Sequence, residues 1–353
     1  MDIERILRMC VQYEASDVHL MVGVKPFIRL HGNLLEVPET TLLTPEAVKN
    51  LITPILNEQQ TELLNVDREL DFSYSLNSGE RFRVNAYYEK GNWAASLRYI
   101  PSKIKSLEEL GLPPIIGSLT SLKQGLILVT GPTGHGKSTT QAAMIERINR
   151  ERSEHIVTIE DPIEFVHTPL KSIISQRELH ADTHSWGVAL KSVLREDPNV
   201  VLIGEMRDYE TIEAALTIAE TGHLVFATLH TNSAPQTIDR VVDVFPQAQQ
   251  QQVRSQLSSV LEAVVSQRLV TSTDNRRTAI MEILLATPAV RSTIRDGKTH
   301  MLTNVMQTAG ETGMKTFEMA LADAYFAKKI SLETARAYAQ NLEELNRLVS
   351  RGM

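Results

Sequence analysis

Apolar positions recur at two spacings along this chain, and the change of spacing divides it. Ile3, Ile6, Leu7, Cys10 and Val11 fall three and four residues apart, so an amphipathic helix is predicted at the start. From Asp17 to about Ile100, short alternating stretches at Val18 to Met21 and Leu70 to Leu76 lie around one helical stretch near Pro45 to Leu64, an α+β pattern. Within it, Glu80 to Ile100 reads as a hairpin. Phe82, Val84 and Ala86 alternate with Arg81, Arg83 and Asn85, and Glu89-Lys90-Gly91-Asn92 turns the chain. On the return strand Arg98 alternates with Leu97 and Tyr99, which lets it share one side of the ribbon with Arg81 and Arg83. From the residues alone that side is either a solvated face or a functional one.

Pro101 to Pro114, PSKIKSLEELGLPP, carries prolines at both ends of a short helical middle, as a linker between domains does. Residues 1–100 are then one domain and 115–353 a second. In the second, Leu126 to Thr130, Ile156 to Ile159, Val200 to Ile203 and Leu224 to Ala227 are short β-branched runs separated by helical stretches. That is the pattern of buried parallel strands, and it predicts an α/β fold. The chain from about Pro288 onward is predicted mostly helical, with Thr287 and Pro288 as cap and first-turn pair. Gln247 to Gln252 is glutamine-rich, but apolar residues follow at helical spacing, so it reads as the polar first turn of a helix.

Composition narrows the classes. A chain of 353 residues suggests two domains, and 42% hydrophobic with 22% charged residues describes a packed protein. The formal net charge is -7 and no stripe of Lys or Arg forms, which argues against nucleic acid as a partner and for protein. The one cysteine, Cys10, can make neither an internal disulfide nor a thiolate metal site, and reads as a small buried apolar residue. No apolar run approaches the ~20 residues needed to span a bilayer. The opening residues lack a signal peptide's apolar core, so a cytoplasmic location is expected.

Gly131-Pro132-Thr133-Gly134-His135-Gly136-Lys137-Ser138 matches the phosphate-loop pattern G-x-x-x-x-G-K-[ST] between a predicted strand and a predicted helix, and Thr139 follows it. Glycines let backbone amides wrap phosphates while the helix points its positive end at them. Lys137 would reach the outer phosphates, and the Ser138 hydroxyl would hold Mg²⁺. Val200 to Glu205 is a buried strand whose end would lie beside that loop. Gly204 stands where many such enzymes place an Asp, which leaves Glu205 either to orient or deprotonate a water or to be a surface Glu at a strand end. Ile156 to Ile159 ends in Glu160-Asp161-Pro162-Ile163-Glu164, carboxylates suited to metal or water contacts or to helix capping. His223 and His230 bracket the run Leu224 to Leu229. Each is either structural or, near a γ-phosphate, a reporter of that group.

Together these four segments resemble the Walker A motif (Gly131 to Ser138), Asp box (Ile159 to Glu164), Walker B motif (Val200 to Glu205) and His box (Thr221 to His230) of the secretion ATPase superfamily that drives type II secretion and type IV pili. Ser16-Asp17-Val18-His19-Leu20, Arg81-Phe82-Arg83 and Leu229-His230-Thr231-Asn232-Ser233-Ala234 are similar to its pilus retraction branch, the PilT family. Ala289-Val290-Arg291-Ser292-Thr293-Ile294-Arg295-Asp296 resembles that branch's AIRNLIRE helix motif, with Val290, Ser292, Thr293 and Asp296 differing from the usual residues. The resemblance implies a PAS-like N-terminal α+β domain joined to a RecA-like P-loop ATPase domain, with six copies in a ring that binds ATP and Mg²⁺ between the two domains of one subunit. It implies that Arg81, Arg83 and Arg98 close on the γ-phosphate, that Glu205 takes the catalytic role, and that Glu160, Glu164 and His230 contact metal, water or phosphate. Ser138 and Glu160 are the expected metal ligands. The implied work is retraction of type IV pili and twitching motility, at the cytoplasmic face of the inner membrane, against a pilus platform protein and alongside paralogous pilus ATPases. His135 departs from the family, which usually has Ser there. The other readings are an accessory retraction ATPase like PilU and an assembly or type II secretion ATPase, whose four-cysteine zinc site Cys10 alone cannot supply. A RecA-like nucleic-acid motor and a non-hydrolysing nucleotide sensor lie further off.

Overall fold

A computed structural model describes residues 2–30, 33–100, 103–274 and 276–351. They fall into two units, Met1–Lys103 with Pro162–Val166, and Ile104–Asp161 with His167–Met353. The first two residues of the predicted linker, Pro101 and Ser102, lie outside the described residues.

The first unit opens with the predicted helix, Ile3–Gln12. Asp2 caps it by accepting from the Arg5 amide at 2.8 Å, and Ile3, Ile6, Leu7 and Cys10 form its buried face. Burial, with Asp17 nearby, pushes the Cys10 thiol up to about 12, so it is a core group and not a reactive one. The helix packs on a six-stranded antiparallel sheet of β1 (Asp17–Leu20), β2 (Phe27–Leu30), β3 (Asn33–Glu36), β4 (Glu69–Ser75), β5 (Arg81–Glu89) and β6 (Asn92–Ile100). The spatial order is β3-β2-β1-β6-β5-β4. β5 and β6 are joined by Lys90 and Gly91, whose φ angles of 51° and 79° make the tight turn that suits the twist of a hairpin. Phe82, Val84 and Ala86 are fully buried on one side, and on the other Arg83 stands opposite Arg98.

The single helical stretch expected over Pro45 to Leu64 is two helices, Pro45–Ile52 and Glu58–Asp67, separated by a 3₁₀ turn at Thr53–Ile55. Pro54 has no amide to continue the first helix. Asn57 starts the second with a reciprocal cap, accepting from the Gln60 amide at 2.7 Å while its own amide donates to Gln60 Oε1 at 3.0 Å.

The second unit is built on seven strands: β7 (Gly125–Thr130), β8 (His155–Glu160), β9 (Ile173–Glu178), β10 (Val200–Ile203), β11 (Leu224–Leu229), β12 (Leu261–Thr271) and β13 (Arg277–Leu285). Their order is β13-β12-β7-β11-β10-β8-β9, all parallel except β13. Every residue of β7, β10 and β11 is buried. Ile127 faces one layer with Ala143, Met144 and Ile148, and Leu126 and Leu128 face another with Ile212, Leu216 and Ile238. Helices thus cover both sides of a parallel sheet, the RecA-like α/β arrangement expected. β9, β12 and β13 had no counterpart among the predicted strands. β12 outruns its neighbour: its last pair with β7 is Ser266 to Thr130, yet it continues to Thr271 beside β13. Gln267 to Thr271 form an overhang where β7 stops.

Candidate functional site

From Thr130 at the end of β7 the chain turns through Gly131 to Gly136 and enters the helix Lys137–Glu151. The loop lies against the overhang of β12. At Gly131, φ is 137° and a Cβ would stand 2.2 Å from the Gln267 carbonyl oxygen, so no other residue fits there. Lys137 is buried and curls back into the loop, where its ammonium donates to the Gly131 and Pro132 carbonyls at 2.8 and 3.0 Å. Ser138 and Thr139 lie in the first turn of that helix, whose N-terminal amides are of the kind that bind anions. Thr133 and Gly134 are exposed.

β11 runs in register with β7 as far as Leu229 beside Thr130, which delivers the next residue, His230, to the loop. Its Nδ1 is 3.4 Å from the Thr133 hydroxyl and 3.5 Å from Lys137 Nζ, and its Nε2 is 3.0 Å from Glu205 Oε1. His223 sits at the far end of the strand with Nδ1 3.0 Å from the Ile218 carbonyl, a helix-end contact remote from the loop.

Glu205 follows β10 and is held from both sides, by His230 and by Arg207, whose Nη2 donates at 2.8 Å. Burial would raise the Glu205 carboxyl, but Arg207, His230 and Lys137 outweigh it and hold it below the usual carboxylate range. Gly204 cannot carry a metal-binding side chain. A Cβ there would meet Glu160 Cα and the Ile159 carbonyl at 3.2 Å, so the approach of β8 and β10 leaves little room for one. Glu160, at the end of β8, accepts from the Thr158 hydroxyl at 2.7 Å and from Gln176 Nε2 at 3.3 Å. Ser138 and Glu160 offer oxygen, the donor type Mg²⁺ takes.

The second unit therefore gathers Lys137, His230 and Glu205 at the loop, with Glu160 beside Gly204. Arg81, Arg83 and Arg98 belong to the first unit, as does Glu164. Arg98 Nε donates to Asp17 Oδ1 at 2.9 Å. Burial would raise the Asp17 carboxyl, yet Ser16 and Arg98 hold it below its ordinary value. Two residues near the site lie outside the four motif segments of the sequence. Arg207 follows Glu205 by two positions. Gln267 is buried and bridges the loop and its helix, donating to the His135 carbonyl at 2.8 Å and accepting from the Thr140 hydroxyl at 2.7 Å.

Residues 2–336 match the model of the type II/IV secretion system protein family. The type IV pilus retractation ATPase PilT of Pseudomonas aeruginosa is 46% identical over 340 residues, covering 96% of this chain and 98% of that one. A twitching motility protein of Neisseria gonorrhoeae is 50% identical over 324 residues, covering 91% and 86%. The crystal structure of the pilus retraction motor PilT with bound ADP aligns with a TM-score of 0.92 at 43% identity, covering 98% of this chain and 99% of that one. A phosphate loop, the carboxylate beside it and a family match over nearly the whole length agree, and the chain belongs to the type II/IV secretion system protein family, in its PilT branch.

Proposed function

We propose that this chain is an ATP-hydrolysing motor that powers retraction of type IV pili and twitching motility. The observation that carries the reading is one contact line: Lys137 Nζ lies 3.5 Å from His230 Nδ1, and His230 Nε2 lies 3.0 Å from Glu205 Oε1. It joins the residue type that binds outer phosphates to the type that places water, inside a chain whose relatives are a retraction ATPase and an ADP-bound retraction motor.

In this reading the glycine loop and Lys137 bind the triphosphate. His230 lies between them and Glu205 and senses whether the γ-phosphate is present. Glu205, ionised and below the usual carboxylate range, is a weak base but a fixed acceptor, which suits orienting a water better than deprotonating it. Ser138 and Glu160 would hold Mg²⁺, which neutralises charge on the phosphate oxygens. Arg81, Arg83 and Arg98 supply the positive charge that the γ-phosphate develops a need for as it leaves, and Glu164 supports the metal or water. Glu160 is already fixed by Thr158 and Gln176, so it offers a set carboxylate. Six copies assemble as a ring at the cytoplasmic face of the inner membrane against the pilus platform protein, with paralogous pilus ATPases as possible companions. Among the described residues no helix is long and apolar enough to cross a membrane.

The test is cellular. Cells carrying Lys137→Ala in place of the native chain should display surface pili that do not retract and should fail to twitch. Normal retraction by that variant would refute the reading.

A further inference from the structure

β12 leaves an open edge where β7 stops, and backbone donors on such an edge need partners. The phosphate loop supplies one through a side chain. The Leu269 amide donates to His135 Nδ1 at 2.9 Å, and Gln267 Nε2 donates to the His135 carbonyl at 2.8 Å, so this one loop residue is gripped through both its side chain and its backbone. Gln267 also accepts from Thr140 in the helix that follows, and its own carbonyl lies against Gly131. An imidazole nitrogen that accepts from an amide carries no proton, which places the ring's proton on Nε2. Burial, and the positive Arg268, Lys137 and Arg277, lower the His135 pKa and favour that neutral form.

We propose that His135 is a positioning residue for nucleotide binding: its imidazole splints the phosphate loop to the overhang of β12, holding the loop amides in place before the phosphates arrive. Serine, usual at this position in the family the chain resembles, has a hydroxyl one bond from Cβ and lacks the reach of a ring nitrogen. This chain therefore fastens its loop by a bond of its own. A loop held in advance loses less freedom on binding, so the bond acts on affinity and leaves the hydrolytic step alone.

The inference rests on the nucleotide reading given above, and the test separates the two. KM for ATP and kcat are measured with magnesium on the purified full chain, for wild type, His135→Ala, His135→Asn and Lys137→Ala. Asn places its amide oxygen near the position of Nδ1 and can accept from Leu269 without titrating. His135→Ala should raise KM about tenfold, the cost of ordering on binding a loop that one net hydrogen bond had held beforehand, with kcat within about twofold. His135→Asn should restore most of the loss, which a purely structural defect would not show. If His135→Ala does not fold, His135→Ser carries the same comparison against His135→Asn. An unchanged KM in the truncated variant overturns the proposal, as does equal weakening of the truncated and Asn variants. Normal turnover by Lys137→Ala would instead overturn the nucleotide reading itself.

Discussion

Glu282 on β13 is buried, and its Oε1 accepts from the Ala234 amide at 2.6 Å, where the helix after His230 begins. Burial first, then Glu318 nearby, raise its pKa from 4.5 to about 7, against the opposing effects of the Ala234 and Phe317 amides and Arg268. Between those two values the folded chain keeps a proton that the unfolded chain has released. The group's contribution to stability is therefore fully present below pH 4.5 and is lost as pH rises through 7. At about 1.36 kcal/mol per unit the loss comes to about 3 kcal/mol. Glu282→Gln removes the titration and keeps a carbonyl acceptor for Ala234. The variant should gain on wild type as pH rises from 5 to 8, by about 2–3 kcal/mol or roughly 5–10 °C in melting temperature. Thermal unfolding of both proteins at the two pH values measures this. A difference in melting temperature that stays the same at pH 5 and pH 8 would refute the argument, because it would mean that Glu282 titrates alike in folded and unfolded chains.

Removing Arg207 takes away the chief group that lowers the Glu205 pKa. If activity needs ionised Glu205, it falls as pH drops through that pKa. Arg207→Ala should then move the acid limb of kcat to higher pH, and an unmoved limb would show that another group sets it. Arg98 is 69% exposed at its side chain and Asp17 only 11%, so solvent screens the pair from one side and it is worth on the order of 1 kcal/mol. Arg98→Ala and Arg83→Ala should lower hydrolysis with little change in melting temperature, and full activity in both would return this strand face to a solvated one.

The elements around the candidate site that local chemistry specifies could be read from the sequence. A glycine loop between a β-branched run and a helix names itself, because its backbone geometry and its lysine have few other uses, and Val200 to Ile203 appears where it was expected. The alternation of Phe82, Val84 and Ala86 with arginines likewise gave the hairpin, including the turn at Lys90 and Gly91. β12 was harder to see. Ser266, Gln267 and Arg268 interrupt its apolar run, and Ser266 and Gln267 are buried because the Thr130 hydroxyl and the phosphate loop satisfy them. That partnership joins residues more than a hundred positions apart, and no local pattern announces it. The Arg207 contact with Glu205 depends on how the chain bends after β10, and the break near Pro54 depended on weighing one proline and an Asn57 cap against a long helical repeat.

The most direct measurement compares ATP binding and phosphate release, with magnesium, for purified wild type and Glu205→Gln. The account predicts that the variant holds ATP as wild type does and releases phosphate at least ~100-fold more slowly. Phosphate release at the wild-type rate would show that another group places the water, and would contradict the role given to Glu205.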